Sequence, residues 1–328
     1  MHAIAAFEAL PVEDHRSLVD VELPMPDHGP DDVLIRVEAV SVNPVDVKMR
    51  AAGGSADDPR VLGFDGAGVV EAIGDQVDEL EPGDHVWWAG ERGRAGANAD
   101  YQLVDHRIVS RMPRGWSFAD AAALPLTGLT ALEAFHDHLV LDPDSAGTLL
   151  MMGGAGGVGS IAIQLAKAKT LLRVLATATR EASAAWAREM GADAVVDHRD
   201  LVASTLDAAP DGVDYVFSPF TSGSIGAFAE VLRPFGHLVV IDSPDDDIRP
   251  LKRKAISFHW ESMFARTDHD VDRSRQREML AELAHLAETG DVRTTANERI
   301  EGFTAANLRE AHRRVESSSM IGKVVVHR

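Results

Sequence analysis

Through the first third of the chain, apolar residues keep a period of two. In "DDVLIRVEAVSV" (31–42) Val33, Ile35, Val37 and Val40 fall mostly on alternate positions, as a half-buried strand requires. "VLGFDGAGVVEAIG" and "EPGDHVWWAG" read as further short strands set off by Gly and Pro turns, a pattern that predicts a barrel-like β domain. At "SFADAAALPLTGLTALEAFHDHL" the period becomes helical, with Ser117 as the N-cap. From about Gly147 strands and helices alternate. "TLLMM" leads into a glycine-rich loop, after which Val158, Ile161, Ala162, Leu165 and Ala166 recur at helical spacing. "LLRVLATA" is a buried strand, "REASAAWAREM" a helix stopped at Gly191, and "AVVD", "VDYVFS" and "HLVVID" are later strands. Such alternation predicts a doubly wound parallel sheet. Residues 272–289 form an amphipathic helix, and the tail reads helix, turn, strand, returning to the first domain.

Composition narrows the function. Fifty-two acids against 32 bases give a net charge of -20, a surface that repels phosphate backbones and anionic membranes, so no nucleic-acid or membrane partner is expected. There is no cysteine, which removes disulfides and thiolate metal ligands. The opening "MHAIAAFEAL" lacks the basic and apolar regions of a signal peptide, and no apolar run approaches a membrane span, so a cytoplasmic protein is expected.

The stretch "MMGGAGGVGSIAIQLAK" carries the first chemistry. Gly154, Gly156 and Gly159 satisfy G-x-G-x-x-G between a strand and a helix, the context in which the pattern binds a dinucleotide. One glycine makes the turn, the next admits a pyrophosphate, and the third lets helix pack on strand, while the free N–H groups at the helix start meet the phosphates. Gly157 and Val158 lie in the same loop. The following strand ends "ATATRE": Thr177 and Thr179 at its tip, then Arg180, with the first acid, Glu181, in the next helix. A strand-tip acid would favour NAD. An arginine without one favours the 2′-phosphate of NADPH.

With "VSVNPVDVKMRA", "VLGFDGAGVVEAIG", "LPLTGLTALEA", "GGAGGVGSIAIQLAK" and the closing "IGKVVV", the chain resembles the medium-chain dehydrogenase/reductases, and within them the zinc-independent quinone oxidoreductase branch. The resemblance spans essentially the whole chain. It implies a GroES-like β-barrel domain from 1–122 with 266–328, and a Rossmann NADPH-binding domain from 123–265, with the site in the cleft between them. It implies NADPH-dependent reduction of a small electrophile, a quinone or α,β-unsaturated carbonyl. The alternatives are an enoyl-thioester reductase on the same fold and a catalytically idle NADPH-binding protein. A homodimer is also implied, with "DYVFSPF" and "HLVVID" as strands able to extend across a sheet edge.

Residue by residue, the resemblance places Asn43 and Asp46 of "NPVD" on a loop beside the nicotinamide, with Lys48 where relatives often carry tyrosine, as the catalytic set. Thr127, Ile241 and Asp242 flank the nicotinamide, and His198 and Ser222 lie near the adenosine. Phe258 and Trp260 border the cofactor pocket, with Trp88 on the substrate side. Where zinc alcohol dehydrogenases have G-H-E, this chain has Gly63, Phe64 and Asp65. No metal is therefore expected. His136 and His138, two apart on a helix, do not face one site and are expected at the surface.

Overall fold

The computed structural model describes residues 1–55 and 59–328. The chain forms two compact units, Met1–Leu129 with Phe264–Arg328, and Thr130–Met263. In the first, β1 (His2–Ala6), β2 (Val19–Glu22), β3 (Asp32–Ser41), β4 (Arg60–Val61), β5 (Asp65–Ile73), β6 (His85–Ala89), β7 (Tyr101–Asp105) and β8 (Val109–Arg111) are joined by α1 (Pro44–Ala52). The helices α2 (Phe118–Ala121) and α3 (Pro125–Glu133) follow, Ser117 capping α2 through its hydroxyl as its position predicts.

The second unit alternates as the pattern predicts: β9 (Thr148–Met151), α4 (Gly157–Lys169), β10 (Arg173–Thr177), α5 (Glu181–Glu189), β11 (Ala194–Val196), α6 (Leu201–Ala208), β12 (Val213–Ser218), α7 (Ile225–Val231), β13 (Leu232–Val240) and β14 (Ser257–Trp260). All neighbours pair in parallel, in the order β11-β10-β9-β12-β13-β14. In order of appearance that is 3-2-1-4-5-6, the Rossmann order, whose switch point lies between β9 and β12. Leu150, Leu175, Val216 and Leu238 bury in its core with Phe228 and Val231 of α7, which is why these strands read as continuous apolar runs. The order corrects one expectation. β12 and β13, the segments of "DYVFSPF" and "HLVVID", each pair on both sides, and β14 is the edge strand.

The chain returns to the first unit through α8 (Ala265–Asp268), α9 (Ser274–Thr289), β15 (Ala296–Glu301), α10 (Ala305–Glu316) and β16 (Lys323–His327). β16 pairs with β3, Val325 opposite Ser41, in a sheet of order β15-β16-β3-β5-β6-β8, with β7 also on β3. The strands wrap a core of Ile4, Ile35, Val37, Val86, Trp88 and Val326. A GroES-like β unit and a Rossmann sheet are thus the two halves of the fold. Among the described residues no helix is long and apolar enough to cross a membrane.

Candidate functional site

In the Rossmann unit packing requires two of the three motif glycines and leaves the third open. A Cβ on Gly154 would stand 2.6 Å from the Ala176 methyl of β10, and one on Gly159 would stand 2.3 Å from the Gly153 carbonyl oxygen. Neither fits. A Cβ on Gly156 would meet only the Gly153 carbonyl, at 3.4 Å, so that position faces open space. Gly156 is the N-cap of α4 and no side chain caps the helix. By helix geometry the N–H groups of Gly157, Val158 and Gly159 have no intrahelical acceptor. The loop is therefore an uncapped helix start with an unobstructed approach, which fits a pyrophosphate.

The tip of β10 departs in part from expectation. Thr177 is buried, and its hydroxyl oxygen accepts the Gly153 N–H at 2.7 Å while its carbonyl accepts that of Gly154. It braces the loop instead of facing solvent. Thr179 and Arg180 are exposed at the tip, Arg180 as N-cap residue of α5, whose first turn holds Glu181. His198 and Ser222 are exposed on turns of the same unit. Beyond β13, Asp242 Oδ2 accepts the Thr221 N–H at 2.6 Å, while Asp242 Oδ1 is buried with no partner among the described residues. That orphan acceptor fits a ligand hydroxyl. Ile241 sits beside it, its N–H donating to Ser218. Phe258 and Trp260 form an edge-to-face pair on β14, ring centroids 5.0 Å apart, with Trp260 exposed.

In the β unit the predicted catalytic residues are not on a loop. Asn43 is the N-cap residue of α1 and Pro44 takes its first position, where a proline loses no hydrogen bond. Asn43 and Asp46 are both 1% exposed. Asp46 accepts the Asn43 N–H at 2.8 Å and the Gly63 N–H at 3.0 Å. Burial pushes its carboxyl up to about 7, against the pull of those N–H groups and of Lys323. The Asn43 amide donates to Asp65 Oδ2 at 2.7 Å and its oxygen accepts from Lys323 Nζ at 2.5 Å. Lys323 also reaches Asp65 Oδ2 at 3.2 Å and the Val42 carbonyl at 3.1 Å. Asp65 further accepts from the Ser41 hydroxyl and, on Oδ1, from the Leu126 N–H at the start of α3, both at 2.7 Å. Thr127 follows, buried, its hydroxyl donating to the Leu124 carbonyl at 3.2 Å. Lys48 is exposed, two residues from both Asp46 and Arg50, the buried residues of α1. Trp88 is a correction. It is fully buried, its Nε1 donating to Gln102, its ring filling the space where a Gly66 side chain would stand. It belongs to the barrel core.

Sequence reasoning missed Asp65 and Lys323 as partners. Their only signal was position: Asp65 in the G-H-E place, Lys323 in "IGKVVV". It also missed a polar cluster in the Rossmann unit. His138, expected at the surface, lies on a π-turn, meets the buried Glu261 at 3.0 Å and packs on His259, which stacks on His237. Burial lowers His237 and His259 and raises Glu261. No group of three or more His, Asp or Glu among the described residues is placed to hold a metal ion. Phe64, at the G-H-E histidine position, packs edge-to-face on Phe264 at 5.2 Å. A phenyl ring offers no donor atom to a metal at that position.

Residues 29–129 match the alcohol dehydrogenase GroES-like domain family and 190–326 the zinc-binding dehydrogenase family. A zinc-type alcohol dehydrogenase-like protein of Staphylococcus aureus is 42% identical over 90% of this chain and 91% of its own. A chloroplastic NADPH-dependent alkenal/one oxidoreductase of Arabidopsis thaliana is 34% identical over 69% of this chain and 62% of its own. Among solved structures, a Rhizobium etli protein described as a zinc-dependent alcohol dehydrogenase superposes with a TM-score of 0.96 at 42% identity, covering 100% of this chain and 98% of that one. A mycobacterial protein solved with NADPH superposes at 0.86 with 25% identity over 100% of both chains.

Proposed function

The chain belongs to the medium-chain dehydrogenase/reductase family, and on that premise we propose that it is an NADPH-dependent oxidoreductase that reduces an α,β-unsaturated carbonyl or a quinone without zinc. The observation that carries this reading is the cradle of the Rossmann unit: an open, uncapped helix start at Gly156, and a β10 tip presenting Thr179 and Arg180 with no carboxylate. The names of two relatives support it, one an NADPH-dependent alkenal/one oxidoreductase and the other a 2-methylene-furan-3-one reductase from tomato.

When bound, NADPH supplies the hydride. The residues of this chain do the rest. The N–H groups of α4 and the Arg180 guanidinium hold the phosphates, Thr179 and the tip residues accept the 2′-phosphate without repulsion, and Asp242 Oδ1 takes a ribose hydroxyl. Thr127 and Ile241 border the nicotinamide, His198 and Ser222 the adenosine, and Phe258 with Trp260 the edge of the pocket. Lys48, exposed on α1, stabilises the oxygen on which negative charge builds. Asn43 and Asp46 position that helix. A homodimer formed along the open edge of β14 and a cytoplasmic location belong to the same reading.

The test is turnover: purified protein mixed with NADPH or NADH and a panel of enones, quinones and enoyl thioesters, followed by loss of nicotinamide absorbance. Turnover of an enone or quinone with NADPH, at an activity independent of chelators, is expected. NADPH binding without turnover of any electrophile would identify a binding protein. Activity confined to thioesters, or lost to chelators with one zinc per chain, would overturn the assignment.

A further inference from the structure

We propose that Lys323 is a positioning residue for the reductase: from the closing strand it orients the Asn43 amide and, through Asp65, sets the start of α3, the segment carrying Thr127. The inference rests on the reading above for its catalytic consequence, but its geometric content stands apart from that reading.

The register puts Lys323 there. β16 runs antiparallel to β3 with Val325 opposite Ser41, so two steps further along, position 323 comes opposite position 43. The Val42 N–H to Val324 carbonyl bond continues the ladder between them. A long stem then delivers the ammonium group inward, and Lys323 is only 4% exposed. Its three donors meet three acceptors: the Val42 carbonyl, Asn43 Oδ1 and Asp65 Oδ2. No proton is left over for a substrate, so Lys323 acts through its neighbours. Asp65 is the relay. One oxygen takes Ser41, Asn43 and Lys323, and the other takes the Leu126 N–H. Two helix starts, those of α1 and α3, thus lean on one carboxylate, and that carboxylate on one lysine.

Stability does not explain this arrangement. A buried ion pair is commonly replaceable by apolar packing at no loss of stability. An apolar side chain at 323 cannot orient a primary amide, and it leaves Asp65 free to turn away from Leu126. Orientation is what the lysine supplies. The packing downstream makes small shifts of α3 matter. A Cβ on Gly128, two residues on, would stand 2.4 Å from Leu283 of α9, so α3 is held with little slack.

The experiment compares Lys323→Met and Lys323→Arg with wild type in four measurements: melting temperature, NADPH affinity, amide exchange of the 124–129 segment, and kcat and KM with an electrophile the wild type turns over. Lys323→Met is expected to exchange Leu126 at least about tenfold faster, the size of one lost hydrogen bond. Its kcat should fall at least about tenfold at saturating NADPH, while the NADPH affinity, set in the other compact unit, changes less than about threefold. Lys323→Arg, which keeps charge and donors, should recover exchange protection and part of kcat. The double variant Lys323→Met/Asp65→Asn removes both charges, so it folds without a lone buried carboxylate and should show the same loss of kcat. Unchanged exchange and kcat in folded Lys323→Met would overturn the proposal. So would a failure of both the single and the double variant to fold, which would make Lys323 part of the fold alone. If wild type turns over no electrophile, the functional reading fails, and Leu126 exchange still decides whether Lys323 sets α3.

Discussion

Two helices of this protein begin at residues of the candidate site, and their N-cap residues differ in what surrounds them. α4 starts at Gly156 with no side-chain cap and nothing but a carbonyl at 3.4 Å where its Cβ would be. α1 starts at Asn43, 1% exposed, with its backbone N–H, side-chain NH2 and side-chain oxygen engaged by Asp46, Asp65 and Lys323 respectively. One terminus leaves its first N–H groups without an intrahelical acceptor and open to approach. At the other, the N-cap residue is buried and engaged by side chains from distant strands. The difference is in the material: the first site is made of backbone and emptiness, the second of side chains gathered from distant strands.

Breaking the closed terminus should cost the most. Asp65→Ala leaves the Lys323 ammonium buried without its counter-charge and removes the Leu126 N–H to Asp65 bond, so unfolding in urea should show a loss of about 3–5 kcal/mol. A loss below about 1 kcal/mol would mean that water or a rearranged Asp46 replaces it, and that the network is not closed. Asn43, its neighbour, is buried in the same network, so Asn43→Ala is expected to lower stability as well.

The β10 tip beside the open terminus should respond in affinity. Arg180→Ala removes charge-assisted bonds to a 2′-phosphate worth about 1.5–3 kcal/mol, a weakening of NADPH of roughly 10- to 150-fold, with NADH almost untouched. The NADPH preference of the wild type should shrink with added salt, because the β10 tip is exposed. Equal weakening of both cofactors in a titration would remove Arg180 from the phosphate site.

The last effect is a slope. Asp46 has its carboxyl raised by burial from 3.8 to about 7, so the folded chain holds a proton that the unfolded chain releases. Its contribution is complete below pH 4 and is lost as pH rises towards 7, at no more than about 1.4 kcal/mol per pH unit. Asp46→Asn keeps one acceptor and cannot ionise. Its stability curve between pH 4 and 7, from urea midpoints, should therefore fall less steeply than that of the wild type. Parallel curves would show that Asp46 stays ionised in the fold.

The glycine loop was legible in the sequence because its logic is local. The turn, the close approach and the helix start fall within a few residues, and each constraint excludes a side chain at a known spacing. Strand alternation in the β unit and apolar runs in the Rossmann unit were legible for the same reason: burial repeats with the period of the backbone. The amide and carboxylates of α1 were visible as residues but not as a network. "NPVD" reads as a turn until Pro44 is seen at the first position of a helix, and Trp88 reads as a pocket aromatic until Gly66 is seen beneath its ring.

What the sequence by itself determined is thus the order of elements, the open glycine loop and the exposed arginine at the tip of β10, all consequences of contacts between near neighbours in the chain. Only the tertiary structure decided that Asp65 and Lys323 meet, 258 residues apart, and close on Asn43. No periodicity encodes the pairing register between β3 and β16. The energy that selects it is the burial of the whole barrel core, and the buried charges are carried to their partners by that register.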